Sequence, residues 1–211
     1  MYAVSYDLGF APNPFGGVCS LACCKPNIRE RARVGDWIIG LTGTKIPPAM
    51  RVVFAMVVTG AMTFDEYWAA PEFLSRRPKR NGTQKKLVGD NIYHRDTGDS
   101  PWQQEDSVHS LGDGAQSLDN TKHDTRINRV LLSTQYVYLG SLAEALPTRV
   151  ANELNYTRNA RDYNRYDAED APALLRWLSG KIAATPQAVL ADPIDFGQSA
   201  QRYDPGRQKM I

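Results

Sequence analysis

The apolar run RVVFAMVVT, residues 51–59, constrains the fold of this chain more than any other segment. Every residue from Val52 to Val58 is apolar, and four of those seven are valines, which favour extended structure. A strand without polar positions is typical of burial on both faces, as in a barrel or a covered sheet. We therefore expect residues 51–59 to form a central strand.

Shorter patterns predict the elements around this strand. Further strands are expected over residues 2–6, 18–23, 37–41 and 127–139, the last as one strand or a pair. Helix starts are indicated by N-cap residues at Asn27, at Thr63 with Glu66 in the capping-box position, and at Asp167. The Asp167 helix is expected to extend over residues 168–184.

These elements predict an α+β chain with one core. We expect a main domain over residues 1–140, a helical extension of it over residues 141–190, and a loosely attached tail over residues 191–211. No run of about 18 apolar residues predicts a membrane span. The N-terminus lacks a signal-peptide pattern, and three cysteines favour a cytosolic protein with buried thiols.

Two blocks of opposite charge lie side by side in the sequence. Residues 75–86 contain six basic residues and no acid, namely Arg76, Arg77, Lys79, Arg80, Lys85 and Lys86. Residues 89–125 contain eight acids, namely Asp90, Asp96, Asp99, Glu105, Asp106, Asp113, Asp119 and Asp124, against Arg95 and Lys122. Such blocks are either two solvated loops or a phosphate-attracting rim beside an acidic, hydrogen-bonding site.

The acidic block holds all three histidines, His94, His109 and His123. Three interpretations remain open. A metal site would use these histidines with Asp106 or Asp124, but no fixed ligand spacing is present and no metal or cofactor is predicted. An enzyme would use His94, Asp106 and His109, with Asp106 orienting His109. The third interpretation is a polar network that shapes a recognition loop.

Other residues are suited to contact a base. The loop GFAPNPF holds the Asn13 amide between two prolines and two aromatic rings, Phe10 and Phe15, unless these rings simply join the core. Trp37 and Trp102 are candidate stacking walls. A second arginine-rich and tyrosine-rich segment, residues 155–166, includes Arg158 and Arg161 as candidate phosphate ligands.

Long motifs in the sequence match a family. The stretches DLGFAPNPFGGVCSLACCKPNIRERARVGDWIIG, FDEYW, GDNIYHRD, WQQEDSVHS and HDTRINRVLLS resemble nucleotide modification associated domain 2, a bacterial and phage family, over about residues 6–140. The resemblance implies association with systems that make or handle modified DNA bases. The order of elements is also similar to PUA-like domains of the EVE and ASCH groups, in which the turn equivalent to Gly35-Asp36 precedes a barrel strand beside a base pocket.

We therefore expect a PUA-like mixed sheet or barrel with peripheral helices that recognises a modified base or nucleotide, free or in DNA. The predicted base contacts are Phe10, Asn13, Phe15, Asp36, Trp37, Trp102, Glu105 and Ser107. The predicted phosphate contacts are Arg76, Arg77, Lys79, Arg80, Arg158 and Arg161. The alternative is a hydrolase, nuclease or transferase that acts on a nucleotide or on modified DNA.

Overall fold

The computed structural model describes residues 1–156, 162–185 and 188–211. Its strands, in chain order, are β1 (Tyr2–Val4), β2 (Cys19–Leu21), β3 (Trp37–Thr42), β4 (Arg51–Val57), β5 (Gly60–Met62), β6 (Tyr93–His94), β7 (Gln103–Gln104), β8 (Val130–Ser133), β9 (Gln135–Tyr138), β10 (Glu144–Ala145), β11 (Ala188–Val189), β12 (Tyr203–Asp204) and β13 (Lys209–Met210).

The α-helices are α1 (Pro26–Arg31), α2 (Phe64–Ala69), α3 (Gln84–Leu87), α4 (Leu118–Thr125), α5 (Thr148–Glu153) and α6 (Pro172–Ala184). Short 3-10 helices occupy Pro71–Arg76, Gly140–Leu142, Ala168–Asp170 and Phe196–Gln198. Within the described ranges, no helix has both the length and the apolarity that a membrane span requires.

The predicted central strand is confirmed. In the main sheet the strand order is β1-β3-β4-β9-β11, with β10 also paired to β4. β4 is antiparallel to both β3 and β9, and its residues from Val52 to Met56 are fully buried. The two outer strands pair in parallel, β1 with β3 and β11 with β9. The unbroken apolarity of β4 therefore reflects coverage of both faces of the sheet.

The remaining strands form smaller sheets. β2, β8 and β5 make an antiparallel sheet in the order β2-β8-β5, and β6–β7 and β12–β13 are two-stranded hairpins. The chain is thus a mixed α and β protein, as predicted. None of the sheets in the described residues closes into a barrel, so the PUA-like resemblance stays a prediction.

The predicted capping box of α2 is confirmed. The Thr63 hydroxyl accepts a hydrogen bond from the Glu66 N–H at 3.1 Å, and the Glu66 carboxylate accepts one from the Thr63 N–H at 2.7 Å. Two amides of the first turn that the helix itself cannot satisfy are therefore bonded.

Substitution of Thr63 by Ala is expected to lower the free energy of unfolding by about 1 kcal/mol, because it leaves the Glu66 amide without its cap. Urea unfolding measures this change. Thr83 is a matched control, since it precedes α3 in the same extended conformation but makes no capping bond through its side chain. Thr83→Ala should change stability by a few tenths of a kcal/mol. Equal losses in the two variants would contradict the capping role.

Two predicted helix starts are wrong. Lys25, in the left-handed conformation, precedes α1, and Pro26 takes the first helical position. Asn27 lies inside the first turn, and its side chain donates to the Asp162 carboxylate at 2.8 Å. Likewise, Asp167 precedes only the 3-10 turn Ala168–Asp170, and α6 begins at Pro172. In both cases proline sets the start, because its fixed φ and missing N–H suit the first turn.

The C-terminal residues are not loosely attached, contrary to expectation. The Ile194 N–H donates to the Asp7 carboxylate at 2.9 Å, and Phe196 is buried. Further on, Arg202 forms a bidentate ion pair with Asp106, and the Tyr203 N–H donates to the Val108 carbonyl at 2.6 Å. Scattered Pro and Gly therefore mark a path of turns across the surface of the core.

Candidate functional site

The acidic insert, residues 91–124, folds onto the core. Tyr93 and Val108 are buried, and Trp102 packs edge-on against Phe64 with ring centroids 5.7 Å apart. Leu111 of the same insert is exposed. The insert therefore has fixed positions for its polar side chains.

A cysteine, a histidine and an aspartate form a continuous hydrogen-bonded chain at the base of this insert. The Nδ1 atom of His109 lies 2.9 Å from Oδ2 of Asp124, and its Nε2 atom lies 3.4 Å from Sγ of Cys24. Asp124 and His109 are buried, whereas Cys24 is only half-buried. The thiol is thus the member of this chain, called the Cys24 triad below, that is closest to solvent.

The Asp124 carboxylate is held by several donors. Its Oδ1 accepts the Cys24 N–H at 2.7 Å, and its Oδ2 accepts the Tyr93 hydroxyl at 2.9 Å as well as contacting His109. The fully buried Arg29 guanidinium donates to the carbonyl oxygens of both Cys24 and Asp124, at 2.9 and 2.5 Å. These bonds fix the two ends of the triad relative to each other.

The backbone at Cys24 explains why its thiol differs from the other two. Cys24 and Lys25 both have positive φ, 60° and 42°, between the end of β2 and the start of α1. This left-handed turn is uncommon for residues other than glycine. Cys19 and Cys23 are fully buried, as predicted, but Cys24 is turned out of the core.

Charge within the triad is strongly coupled. Burial disfavours an imidazolium, but Cys24 and Asp124 outweigh burial and raise the pKa of His109 to about 10. Burial likewise opposes ionisation of Asp124, yet His109 and Arg29 hold the pKa of this carboxyl below its usual value. At neutral pH the buried pair is therefore an aspartate and an imidazolium. Burial raises the pKa of the neighbouring Cys23 thiol far above its ordinary value.

Cys23, His109 and Asp124 also lie close enough to hold a metal ion, with one ligand atom of each within 4.8 Å of the others. Metal ligation requires a thiolate and a neutral imidazole. Here both ring nitrogens of His109 already have hydrogen-bonding partners, Asp124 at 2.9 Å and Cys24 at 3.4 Å. Both Asp124 oxygens also accept hydrogen bonds already. The arrangement fits a proton-sharing network better than a metal centre.

The structure does not bring the three predicted catalytic residues together. Asp106 pairs with Arg202 rather than orienting His109, and Asp124 has the orienting position instead. His94 stacks on Trp68, with ring centroids 4.0 Å apart, and its Nε2 lies 3.2 Å from the Glu105 carboxylate. His123 is exposed on α4.

Several predicted base contacts are occupied within the fold. The Asn13 side chain is buried, donates to the Val88 carbonyl at 3.0 Å and accepts the Phe15 N–H at 3.1 Å. Phe10 is buried against the His109 ring, and the Ser107 hydroxyl accepts a hydrogen bond from the backbone N–H of His109. These contacts match the alternative in which the proline-stiffened loop belongs to the core.

The other predicted base contacts are more accessible. Phe15 and Trp102 are half-buried, with Lys85 over the ring of Phe15 and Arg95 over that of Trp102. Glu105 is partly exposed beside His94.

Most of the basic block is also engaged internally. Arg76 is buried, and its guanidinium donates to Ser20 and to backbone carbonyls of residues 13–18. Arg77 lies over the Trp68 ring and donates to the Trp68 carbonyl, and Arg80 donates to the Ala200 carbonyl. Lys79 is exposed. The geometry therefore does not support a phosphate contact from Arg76. The predicted contacts Arg158 and Arg161 lie outside the described residues.

A separate cavity of about 800 Å³ opens beside Trp37. Trp37 and the exposed Asp36, both predicted base contacts, lie in its wall. The other charged and aromatic residues of the wall are Glu30, Arg31, Arg33, Arg129, Tyr163, Arg165, Tyr166 and Asp167. The Arg31 guanidinium donates to the Tyr163 hydroxyl at 3.0 Å, which joins α1 to the segment before α6. We call this the Trp37 cavity.

Sequence reasoning treated Cys24 as a buried structural thiol, like Cys19 and Cys23, and considered Asp124 only as a metal ligand. The adjacent pair Cys23-Cys24 gives only a weak indication of a reactive thiol. Neighbouring side chains usually point in different directions, so one of the two cysteines can be buried while the other is accessible. The contact between Cys24 and His109 is visible only in the folded structure, because the two residues are 85 positions apart in the sequence.

The fold and the two sites define a class of protein: a mixed α and β domain with a polar triad that reaches solvent at its cysteine, and a separate aromatic, arginine-lined cavity. The sequence model of nucleotide modification associated domain 2 matches residues 1–200 of the 211 residues. The chain therefore belongs to this family, and the resemblance noted from its motifs is confirmed. No curated protein and no solved structure matches the chain. The family name supports a role in nucleotide modification systems.

Proposed function

We propose that this protein recognises a nucleotide, free or within DNA, through the Trp37 cavity. The observation that carries the proposal is a concave surface that combines one indole ring, two tyrosines and four arginines in a member of a nucleotide modification family. A nucleotide requires an aromatic face for its base and cationic groups for its phosphate. The base is a modified one if the protein acts downstream of the modification reaction.

The cavity is large enough for a nucleotide, since ligand pockets commonly measure about 300–1,000 Å³. Trp37 begins β3 and is half-buried, so its ring has a fixed position while part of it faces the cavity. Asp36 is exposed at the preceding turn, with its carboxylate accepting the Arg33 N–H at 2.8 Å. Its other oxygen suits an amino group on a base edge.

Arginines replace the basic block as the proposed phosphate ligands. Arg31, Arg33 and Arg165 are exposed, and Arg129 is half-buried against the carbonyl oxygens of Arg29 and Glu30. Three acids, Glu30, Asp36 and Asp167, share the wall, so the charge excess is one: four arginines less three carboxylates. Such a balance favours one mononucleotide or a short strand over a long, continuous backbone contact.

Replacement of Trp37 by Ala is expected to weaken binding of a nucleoside 5′-monophosphate by about 10-fold or more, because base stacking contributes about 1–3 kcal/mol. Isothermal titration calorimetry with the four deoxynucleoside monophosphates and a short single-stranded oligonucleotide measures the change. Trp177→Ala is the matched control, since Trp177 is also half-buried but lies outside the cavity.

Replacement of Arg33 by Ala should weaken binding and reduce its dependence on salt, because one phosphate contact is lost. Arg149, an exposed arginine outside the cavity wall, provides the control. Binding that is unaffected at Trp37 and Arg33 but lost in a Lys79→Ala, Lys85→Ala double variant would contradict the proposal. That result would show that the basic block, rather than the Trp37 cavity, binds the nucleotide.

A further inference from the structure

We propose that the Cys24 triad is a catalytic site in which the Cys24 thiolate attacks the carbonyl carbon of an ester or amide and forms a thioester. The proposal assigns an acyl-transfer activity to a site separate from the Trp37 cavity. It does not depend on nucleotide binding, so the two proposals can fail independently.

The order of the three groups is the first support. A nucleophile, a base and a group that orients the base must lie in sequence, each within hydrogen-bonding reach of the next. Cys24 Sγ, the His109 ring and the Asp124 carboxylate satisfy this order, at 3.4 and 2.9 Å. The contact of Asp124 with Nδ1 fixes which ring nitrogen faces the sulfur.

The accessibility of the three groups is the second support. Cys24 is half-buried beside a buried, positively charged imidazole, which is the environment of a reactive thiolate. A thiol that only filled space would be enclosed, as Cys19 and Cys23 are. The rings of Phe10 and Tyr203 lie next to His109, with centroids 4.8 and 6.2 Å from its own, and would limit access of water to the imidazole.

The backbone turn at Cys24 is the third support. Two consecutive residues with positive φ project this side chain from the junction between β2 and α1. Strained backbone of this kind persists only where surrounding bonds impose it. Here Asp124 binds the Cys24 N–H and Arg29 binds the Cys24 carbonyl. The same two residues that hold the turn therefore also hold the triad.

The reaction proceeds in two balanced steps. In the first, Cys24 Sγ forms a bond to the carbonyl carbon, the bond from that carbon to the leaving oxygen or nitrogen breaks, and His109 Nε2 gives its proton to the leaving group. In the second, water or an amine gives a proton to Nε2 and attacks the thioester, and the carbon–sulfur bond breaks. The thiolate and imidazolium are then restored, and no redox partner is required.

The test uses p-nitrophenyl acetate as the acyl donor with the full-length protein. Wild-type protein should release a burst of p-nitrophenol equal to the protein concentration, and peptide mapping by mass spectrometry should find the acetyl group on Cys24. Cys24→Ser should abolish the burst. His109→Gln should slow acylation by about 100-fold, the usual effect of losing a general acid–base group.

Controls separate catalysis from structure. Cys23→Ser removes the adjacent thiol and should keep the burst, and peptide mapping of the wild type gives the same comparison without any variant. Iodoacetamide should alkylate Cys24 before Cys23, because Cys24 is half-buried whereas Cys23 is fully buried. Acetylation of Cys23, an absent burst, or alkylation of Cys23 before Cys24 would overturn the proposal. So would one equivalent of tightly bound zinc in the purified protein, which would identify a metal centre.

Discussion

Replacement of Arg76 by Met is expected to lower the free energy of unfolding by about 3–5 kcal/mol, because it leaves a buried carboxylate without its cation. Arg76 Nη1 lies 3.7 Å from the Asp90 carboxylate and 2.7 Å from the Ser20 hydroxyl. Asp90 is fully buried, and its other donors are neutral: the hydroxyls of Ser20 and Tyr67 and the backbone N–H of Asp90 itself. Urea unfolding monitored by tryptophan fluorescence measures the loss.

Lys79→Met is the matched control, since it removes an exposed positive charge from the same basic block. Its effect should remain within about 0.5 kcal/mol. The double variant Arg76→Met, Asp90→Asn should recover part of the loss, because the buried charge is removed together with its partner. A near-neutral Arg76→Met variant would contradict the internal position of Arg76. It would restore the sequence-based expectation that this arginine faces a phosphate.

The strands and caps could be predicted because their signals are local. The unbroken apolar run of β4 by itself indicates a buried strand, and Thr63 and Glu66 form a cap within four residues. Proline overrode the same kind of reasoning at α1 and α6, where the fixed geometry of Pro26 and Pro172 set the first helical residue. Local patterns therefore predict the existence of elements better than their starts.

The environment of charged residues could not be predicted in this way. Arg76 belongs to a block of six basic residues, and nothing local distinguishes it from Lys79. The carbonyl of Asn13, one of its acceptors, is 63 positions away. An arginine becomes buried only where a distant loop presents several oxygens to its planar group. In the sequence the basic block thus resembled a phosphate-binding surface, although most of its side chains contact other groups within the protein.

The candidate sites could be predicted only in part, because the sequence identifies reactive residue types but not their distant partners. Residue type identified His109 as chemically capable, but sequence proximity suggested Asp106 as its partner. The folded insert brings Asp124 to Nδ1, while Arg202 from the C-terminal segment takes Asp106. Trp37 and Asp36 were predicted beside a pocket, and a cavity lies there. None of the four arginines in the wall of this cavity is among the predicted phosphate contacts.

The free energy of unfolding is expected to fall by several kcal/mol between about pH 6.5 and pH 10. Over this range His109 is protonated in the folded protein but deprotonated in the unfolded chain. The pKa of His109 is raised to about 10 in the folded state, against 6.5 for an ordinary histidine. The folded protein therefore holds this proton more tightly than the unfolded chain. The resulting stabilisation is complete below pH 6.5 and disappears as the pH rises through about 10.

Urea unfolding of the wild type and of His109→Gln across this range isolates the effect, because the contributions of other titrating groups largely cancel in the difference. The stability advantage of the wild type should be largest near pH 6 and should shrink steadily towards pH 10. His123 of α4 is the control: desolvation lowers its pKa below 6.5, so His123→Gln should leave the profile between about pH 7 and pH 10 unaltered.

Cys24→Ala tests the coupling within the triad. The Cys24 thiolate and the Asp124 carboxylate both raise the pKa of His109, so removal of the thiol should move the loss of stability to lower pH while leaving part of it in place. A direct titration of the His109 ring by NMR should show the same displacement. If the stability difference between wild type and His109→Gln were instead independent of pH, His109 would be neutral in the folded protein. The thiolate–imidazolium pair that the catalytic proposal requires would then be absent.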